Sequence, residues 1–241
     1  MRIAVLSDIH GNLTALEAVR KDLSSMSPDL VFHGGDLSDS GSRPAEIVDL
    51  IRDAGWQGVM GNTDEMLVNP GSLEGFAETS SAPDALWKMI RRIAESTREA
   101  LGKERLAWLS ELPRRMIHTE LALVHASPDS CWRVPSATAT DAELALVYGT
   151  LGRPTVVFGH THLPFIRGLN GEMNLLINSG SVGLPYDGDV RASYLLLDSG
   201  APKIRRVSYD VDREIRALSA CGLPGAAWTA EMLRTGMPQM P

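Results

Sequence analysis

The sequence predicts an α/β fold in which helices connect the strands of a largely parallel sheet. Short runs of β-branched and apolar residues alternate with amphipathic stretches through the amino-terminal half, as strands and crossover helices do. The 241 residues are 44% hydrophobic, which is enough apolar material for a sizeable core. No linker, charge run or repeat divides the chain, so we predict a single domain over residues 1–241.

Local signals predict the first elements in order. Residues 2–6 form a short apolar run that is typical of a strand. Asn12 is a suitable helix cap, and the apolar residues behind it recur at helical spacing until Pro28. The same reasoning then predicts a strand at 30–32, a helix at 44–53 and a strand at 57–60.

The pattern changes in the middle of the chain. Residues 66–118 lose the strand pattern and predict a helical insertion, which could fold over a site as a lid or pack on its flank. Buried strands are predicted again at 121–124 and 155–158. Residues 173–209 alternate apolar and polar side chains, as an antiparallel edge or a second sheet would. Two short helices are predicted to close the chain.

Charge and cysteine content limit the partners. The formal net charge of -7 disfavours long nucleic acids and anionic membranes, so a phosphorylated substrate would be small and attracted locally by metal ions. Cys131 and Cys221 match no disulfide or zinc spacing. No apolar run is long enough for a signal peptide or a membrane span, so we expect a cytoplasmic protein. The sequence leaves the oligomeric state open.

Several apolar runs are followed by a side chain that can bind a metal ion. Since ligands of open α/β sheets bind at the carboxyl ends of the strands, these side chains should meet at one edge. The residues that follow the runs are Asp8, Asp36, Asn62, His125 and His160.

Two further histidines complete the predicted site. Asp8 with His10, and His160 with His162, are i, i+2 pairs, and in extended backbone the members of such a pair project from the same face. Each pair could therefore converge on one site. Carboxylate, imidazole and one amide oxygen suit manganese, iron or zinc better than calcium.

These motifs, taken together, carry a family resemblance. The segments Asp8-Ile9-His10, Gly35-Asp36-Leu37-Ser38-Asp39, Gly61-Asn62-Thr63-Asp64 and Gly159-His160-Thr161-His162, with His125, resemble the successive motifs of the calcineurin-like metallophosphoesterases. The loop at 178–183 is similar to the loop after the last metal motif of small bacterial, phosphodiesterase-type members. The resemblance spans roughly residues 1–200.

The resemblance implies a four-layer α/β/β/α sandwich of two mixed sheets and two divalent metal ions. Manganese is the first expectation, with iron, zinc, nickel, cobalt or magnesium as alternatives. One ion would be held by Asp8, His10, Asp36 and His162, and the other by Asp36, Asn62, His125 and His160. Asp36 would bridge the ions, and a hydroxide shared between them would attack phosphorus in line. Asp36, Asn62 and His125 are thus the expected catalytic residues.

The sequence departs from the family pattern at two positions. Thr63 stands where members commonly have a histidine that protonates the leaving oxygen, so we expect good leaving groups or another acid. Ser40 stands where protein-phosphatase relatives carry an arginine that grips phosphate. The candidate replacements for that arginine are Arg43, Arg133 and Arg191.

We therefore expect a phosphodiesterase or phosphatase acting on a small phosphorylated molecule, such as a nucleotide or dinucleoside polyphosphate. The alternatives are a non-catalytic interaction scaffold and a serine/threonine protein phosphatase. No serine-hydrolase elbow, His-Glu-x-x-His motif or phosphate-binding P-loop occurs in the chain. His33 and His118 match no motif and are assigned structural roles.

Overall fold

Two five-stranded sheets lie at the centre of the molecule, a computed structural model that describes residues 1–119 and 121–241. The strands are β1 (Arg2–Leu6), β2 (Leu30–His33), β3 (Gln57–Gly58), β4 (Arg115–His118), β5 (Leu121–Val124), β6 (Thr155–Phe158), β7 (Phe165–Gly168), β8 (Leu175–Asn178), β9 (Ala192–Asp198) and β10 (Ala201–Val207). The first sheet has the order β10-β9-β1-β2-β3, and the second has the order β4-β5-β6-β8-β7.

Helices surround the two sheets. Their bounds are α1 (Leu13–Met26), α2 (Pro44–Asp53), α3 (Asn62–Val68), α4 (Pro70–Ala77), α5 (Asp84–Ser110), α6 (Asp141–Tyr148), α7 (Val211–Cys221) and α8 (Ala226–Thr235). The predicted cap is confirmed, because the Asn12 side chain accepts a hydrogen bond from the N–H of Ala15. No helix in the described ranges is long and apolar enough to cross a membrane.

The alternation of side chains along the strands builds the four predicted layers. On β1, Ile3 and Val5 face the second sheet and join a core between the sheets, while Ala4 and Leu6 face outward. The outward face of the first sheet packs on α1, α2 and α5. The outward face of the second sheet packs on α6. The α/β/β/α sandwich of two mixed sheets is therefore confirmed.

Three predicted segments differ from the structure. The strand at 57–60 ends at Gly58, because Met60 donates its N–H to Pro113 rather than to β2. The segment predicted to be helical, 66–118, ends in β4, an edge strand whose partly exposed residues give a weak apolar signal.

The segment 173–209, in which apolar and polar residues alternate, is divided between the two sheets. Strand β8 lies parallel to β6 in the second sheet, whereas β9 and β10 are antiparallel strands of the first sheet. The chain crosses from one sheet to the other between Asn178 and Ala192. The prediction of an antiparallel edge or a second sheet over 173–209 therefore holds for the antiparallel pairing of β8 with β7 and of β9 with β10, but not for the parallel pairing of β8 with β6.

The parallel pairings bring the candidate loops to one edge. Strands β1, β2 and β3 run parallel in the first sheet, and β5, β6 and β8 run parallel in the second. The loops that leave β1, β2, β3, β5 and β6 carry the candidate metal ligands. Both sheets therefore contribute side chains to a single site.

Candidate metal centre

The structure brings all seven predicted ligand side chains together. Four of them form a first group in which one ligand atom from each residue lies within 4.8 Å of the others, and all four are buried. The members of this group are Asp8, His10, Asp36 and His162. His162 Nε2 lies 3.2 Å from Asp8 Oδ1, and His10 Nε2 lies 3.6 Å from Asp36 Oδ2. This group could hold a metal ion.

A second group lies beside the first. The side-chain oxygen of Asn62 is 2.9 Å from His125 Nε2 and 2.8 Å from His160 Nδ1. Asp36 Oδ1 lies 3.4 Å from His125 Nε2, while its other oxygen faces His10 in the first group. The carboxylate of Asp36 therefore presents one oxygen to each group.

Three of the four histidines have a fixed ring orientation. His10 Nδ1 faces the carbonyl of Asp39 at 3.1 Å, His125 Nδ1 faces that of Gly34 at 2.7 Å, and His162 Nδ1 faces that of Leu184. A carbonyl oxygen can only accept, so each Nδ1 carries the proton, and in the neutral ring Nε2 presents a lone pair to the site.

This orientation makes the site a good fit for cations. The Nε2 atoms of His10 and His162 lie 3.2 Å apart, and His125 Nε2 lies against the oxygen of Asn62. Each of these contacts brings two acceptors together, which is unfavourable unless a proton or a cation lies between them. A divalent ion in each group would satisfy these acceptors.

The backbone of the ligand loops is not extended, contrary to the i, i+2 argument. Five of the eight non-glycine residues with positive φ in the described ranges are candidate ligands, namely Asp8, His10, Asp36, His160 and His162. The two histidines of the second pair therefore diverge: His162 joins the first group and His160 joins the second. Such backbone strain persists only where the surroundings enforce it.

Asp64 is a residue of the site to which the sequence argument gave no role. Its side chain is fully buried and accepts hydrogen bonds from three backbone N–H groups, those of Asp36 (2.8 Å), Leu37 (3.0 Å) and Gly61 (3.0 Å). Asp64 thereby fixes the loop that carries Asp36. The sequence feature that could have indicated this role is the position of Asp64 in the first turn of α3, where a carboxylate satisfies free N–H groups.

The loop at 178–183 supports the ligand loops from the other side. Asn178 is fully buried and donates to the carbonyl of Gly159 (2.6 Å) and to Thr161 Oγ1 (3.0 Å). Ser181 donates to the carbonyl of Asp8 at 2.7 Å. The loop at 178–183 therefore connects the Asp8 loop to the loop that carries His160 and His162 through hydrogen bonds.

Burial and charge shift the ionisation of the site. Burial raises the pKa of Asp36, and burial lowers the pKa of His160 to about 3. Burial also acts to raise the pKa of Asp8, but His162, His125 and His10 together outweigh burial, and the net pKa lies below the usual range. For His125, burial acts to lower the pKa, but Asp36 and Asp8 raise it overall. The low pKa values of Asp8 and His160 favour an ionised carboxylate and a neutral imidazole, which are the forms in which these side chains bind cations.

The site opens into a cavity of about 200 Å³. Its polar lining includes Asp36, Asp39, Asn62 and Thr63. None of the arginines considered as replacements for the phosphate-binding arginine lines it. Each contacts another part of the surface: Arg43 pairs with Glu46 at 3.1 Å, Arg133 donates to Thr79 at 2.7 Å and Arg191 pairs with Asp189 at 2.7 Å.

His33 lies at the end of β2, outside both groups. It is fully buried, and neither ring nitrogen has a hydrogen-bond partner among the described residues. Burial lowers the pKa of His33 to about 4. As the pH falls below 6.5, the ordinary value, the unfolded chain takes up the proton first, so stability is lost between about pH 6.5 and pH 4.

Replacing His33 with leucine should remove this part of the acid sensitivity. Between pH 7 and pH 5 we expect the free energy of unfolding to fall by about 2 kcal/mol less in His33→Leu than in the wild type. Urea unfolding at the two pH values measures the difference. His118→Leu, on the edge strand β4, is the matched control. An equal change in the pH dependence of the free energy of unfolding in both variants would rule out burial of His33 as the cause.

Comparison with known proteins agrees with the fold. A solved metallophosphoesterase from Sphaerobacter thermophilus is 29% identical, with a TM-score of 0.78 over 98% of this chain and 99% of that chain. A hypothetical protein from Pyrococcus horikoshii OT3 has the same fold, with a TM-score of 0.83 at 17% identity over 99% of each chain. An uncharacterised protein of Methanocaldococcus jannaschii is 32% identical over 97% of this chain and 98% of its own length.

Fold and site together define a metal-dependent phosphoester hydrolase. The chain belongs to the calcineurin-like phosphoesterase superfamily, whose domain matches residues 1–201. The family and the buried group around Asp36 support a divalent metal cofactor.

Proposed function

We propose that this protein is a two-metal phosphoesterase that hydrolyses a phosphodiester or phosphomonoester of a small molecule. The observation that supports two ions is the placement of Asp36, whose two oxygens face different groups of acceptors. A carboxylate between two acceptor clusters, with no cationic side chain lining the cavity in the described ranges, is the arrangement of a bridging ligand.

The ligand assignment follows the two groups. Asp8, His10, Asp36 and His162 would hold one ion, and Asp36, Asn62, His125 and His160 would hold the other. The mixture of carboxylate, imidazole and amide oxygen favours manganese, with iron or zinc as alternatives. Divalent ions supply Lewis acidity, which lowers the pKa of water towards about 7 and stabilises negative charge on phosphoryl oxygens.

The residues of this chain keep that centre in its geometry. The backbone carbonyls of Gly34, Asp39 and Leu184 orient three imidazoles so that Nε2 faces the centre. Asp64 holds the Asp36 loop through backbone N–H groups. The neutral Asn62 adds an oxygen without adding charge. Pre-orientation of this kind lets the ligands act without reorganisation during the reaction.

A manganese-supplemented substrate panel tests the proposal. It compares aryl monoesters, aryl diesters, cyclic nucleotides, dinucleoside polyphosphates and phosphopeptides, each with and without EDTA. We expect EDTA-sensitive hydrolysis of at least one small ester and a manganese-dependent rise in melting temperature. Hydrolysis restricted to phosphopeptides would favour a protein phosphatase. Manganese binding with no turnover across the panel would favour a scaffold.

Thr63 bears on which leaving groups are accepted. Its N–H donates to Asp36 Oδ1 at 2.9 Å, and its hydroxyl has no hydrogen-bond partner among the described residues. A threonine hydroxyl cannot act as an acid at neutral pH. We expect Thr63→His to raise alkyl-phosphate turnover about 100-fold or more, the lower end of the range of general acid catalysis, and to change 4-nitrophenyl-phosphate turnover little.

The reason is that an alkoxide needs a proton as it leaves, whereas 4-nitrophenolate does not. Steady-state kcat on the two ester types measures the difference. Thr63→Val, which removes only the hydroxyl, is the control and should leave the alkyl-to-aryl ratio unchanged. Equal effects of Thr63→His on both ester types would contradict a role in leaving-group protonation.

A further inference from the structure

An apolar wall faces the metal centre across the cavity. The half-buried side chains of Ile90, Trp132, Tyr186 and Trp228 line this wall together with Met232. They come from α5, from the loop before α6, from the loop after β8 and from α8. The helical segment between β3 and β4 and the carboxyl-terminal helix therefore both reach over the site.

The aromatic rings of this wall are fixed by contacts outside the cavity. Trp132 donates its Nε1–H to Glu65 at 2.7 Å, and its ring stacks on Phe76 with centroids 5.0 Å apart. Trp228 donates its Nε1–H to the carbonyl of Gln239 at 2.9 Å. The polar atoms of both indoles are thus satisfied, so their role towards the cavity is apolar, and little side-chain entropy remains to be lost on binding.

The third aromatic ring links the wall to the metal centre. Tyr186 stacks on His162 with centroids 4.3 Å apart and an interplanar angle of 16°. A group that packs on the wall would therefore lie next to the candidate ligands.

Charge and size restrict what can occupy the cavity. No lysine or arginine lines it within residues 1–119 and 121–241, and Asp36 and Asp39 add acidic groups. Any phosphate beyond the one at the metal centre would lack a cationic partner. The volume of about 200 Å³ is below the roughly 300–1,000 Å³ of pockets that enclose drug-sized ligands. One planar group fits better than two nucleosides.

We propose that the site selects esters with a single phosphoryl group whose planar aromatic substituent packs on Trp132 and Trp228. This inference rests on the proposed phosphoesterase function and specifies its substrate class. It disfavours dinucleoside polyphosphates, which the sequence alone had left as candidates. Trp228 is the specificity-determining residue that can be altered most safely, because Trp132 also anchors Glu65 and Phe76.

Binding of non-hydrolysable anions tests the aromatic preference without turnover. Diphenylphosphinate and dimethylphosphinate carry the same single charge and differ only in their substituents. Calorimetry on manganese-loaded protein should show at least about fivefold tighter binding of diphenylphosphinate, the lower end expected for stacking on an aromatic side chain. Equal affinities would overturn the inference.

Matched tryptophan variants locate the effect. Trp228→Leu should lower the preference for diphenylphosphinate about twofold or more, with Trp132 retaining part of it, and Trp228→Phe should keep most of the preference. Trp56→Leu, a partly buried tryptophan after α2, is the control and should leave the preference unchanged. A melting curve with manganese shows that each variant is folded. An unchanged preference in folded Trp228→Leu would overturn the role of Trp228.

Turnover separates the remaining substrates. We expect kcat/KM for thymidine 5′-(4-nitrophenyl phosphate) or phenyl 4-nitrophenyl phosphate to exceed that for diadenosine tetraphosphate at least tenfold. The better of the two diesters shows whether a nucleobase or a simple aryl group is the natural substituent. Faster turnover of the tetraphosphate would overturn this inference and leave the proposed function intact, whereas no turnover of any ester would remove the function itself.

Discussion

Replacing Asp36 with asparagine is expected to lower manganese-dependent phosphoester hydrolysis more than about 100-fold. Changes to residues that only support a metal ligand typically cost 10–100-fold, and Asp36 faces both groups of acceptors directly. An asparagine keeps the shape but replaces one oxygen with an N–H donor, which cannot bind a cation. Steady-state kinetics and metal content per protein measure the effect.

The same variant should behave differently in the absence of metal. Burial raises the pKa of Asp36 above that of the unfolded chain, so the ionised carboxylate destabilises the metal-free fold at neutral pH. Asparagine carries no such cost. We therefore expect Asp36→Asn to melt in EDTA at the wild-type temperature or above it, while manganese raises the melting temperature of the wild type alone.

A second carboxylate provides the control for this experiment. Asp22 is partly buried on α1, where it accepts hydrogen bonds from Tyr194 and Arg205. Asp22→Asn makes the same chemical change away from the site and should keep full activity and the response to manganese. Activity that survives Asp36→Asn would show that hydrolysis does not arise at the proposed centre.

Replacing Gly61 with alanine is expected to displace Asp36 by a steric clash, without removing any candidate metal ligand. An added Cβ would lie 2.0 Å from Asp36 Oδ1 and 2.3 Å from the backbone nitrogen of Asp36. Neither atom can move freely, because Asp64 binds the N–H of Asp36 and that of Gly61, and Asp36 Oδ1 accepts from the N–H of Thr63. We expect a loss of about 3 kcal/mol in the free energy of unfolding and loss of stabilisation by manganese.

Denaturant unfolding with and without manganese measures both effects. Gly75→Ala is the matched control, since Gly75 lies within α4 and its added Cβ would contact nothing within 4 Å. That variant should gain roughly 0.5–1 kcal/mol from helix propensity. A wild-type response to manganese in Gly61→Ala would mean that the Asp36 carboxylate is not required in its present position.

The candidate ligands could be predicted from the sequence for a physical reason. Each lies within a few residues of a short apolar strand, and parallel strands bring their carboxyl ends to a common edge whatever the loops between them do. Asp8, His125 and His160 could therefore be brought together without knowledge of any contact. The division of the strands into two sheets came from the family resemblance rather than from periodicity.

Other features depend on contacts between distant parts of the chain. The left-handed backbone of His160 and His162 lies in a loop held by long-range hydrogen bonds, in which His160 N–H donates to Asp8 and Asn178 donates to the carbonyl of Gly159. Nothing local to a His-Thr-His segment encodes those bonds. The apolar wall is similar, because Trp132 and Trp228 are separated by almost a hundred residues and line the same cavity only through the packing of α8.

The candidate ligands come from both sheets, so metal binding and release should affect how firmly the two sheets are held together. Asp8, His10, Asp36 and Asn62 follow strands of the first sheet, whereas His125, His160 and His162 follow strands of the second. Bound cations would therefore link the two sheets of the sandwich through their ligands. Amide hydrogen exchange in the strands of both sheets should slow together when metal binds. Chelation should speed exchange where the two sheets meet before either sheet unfolds.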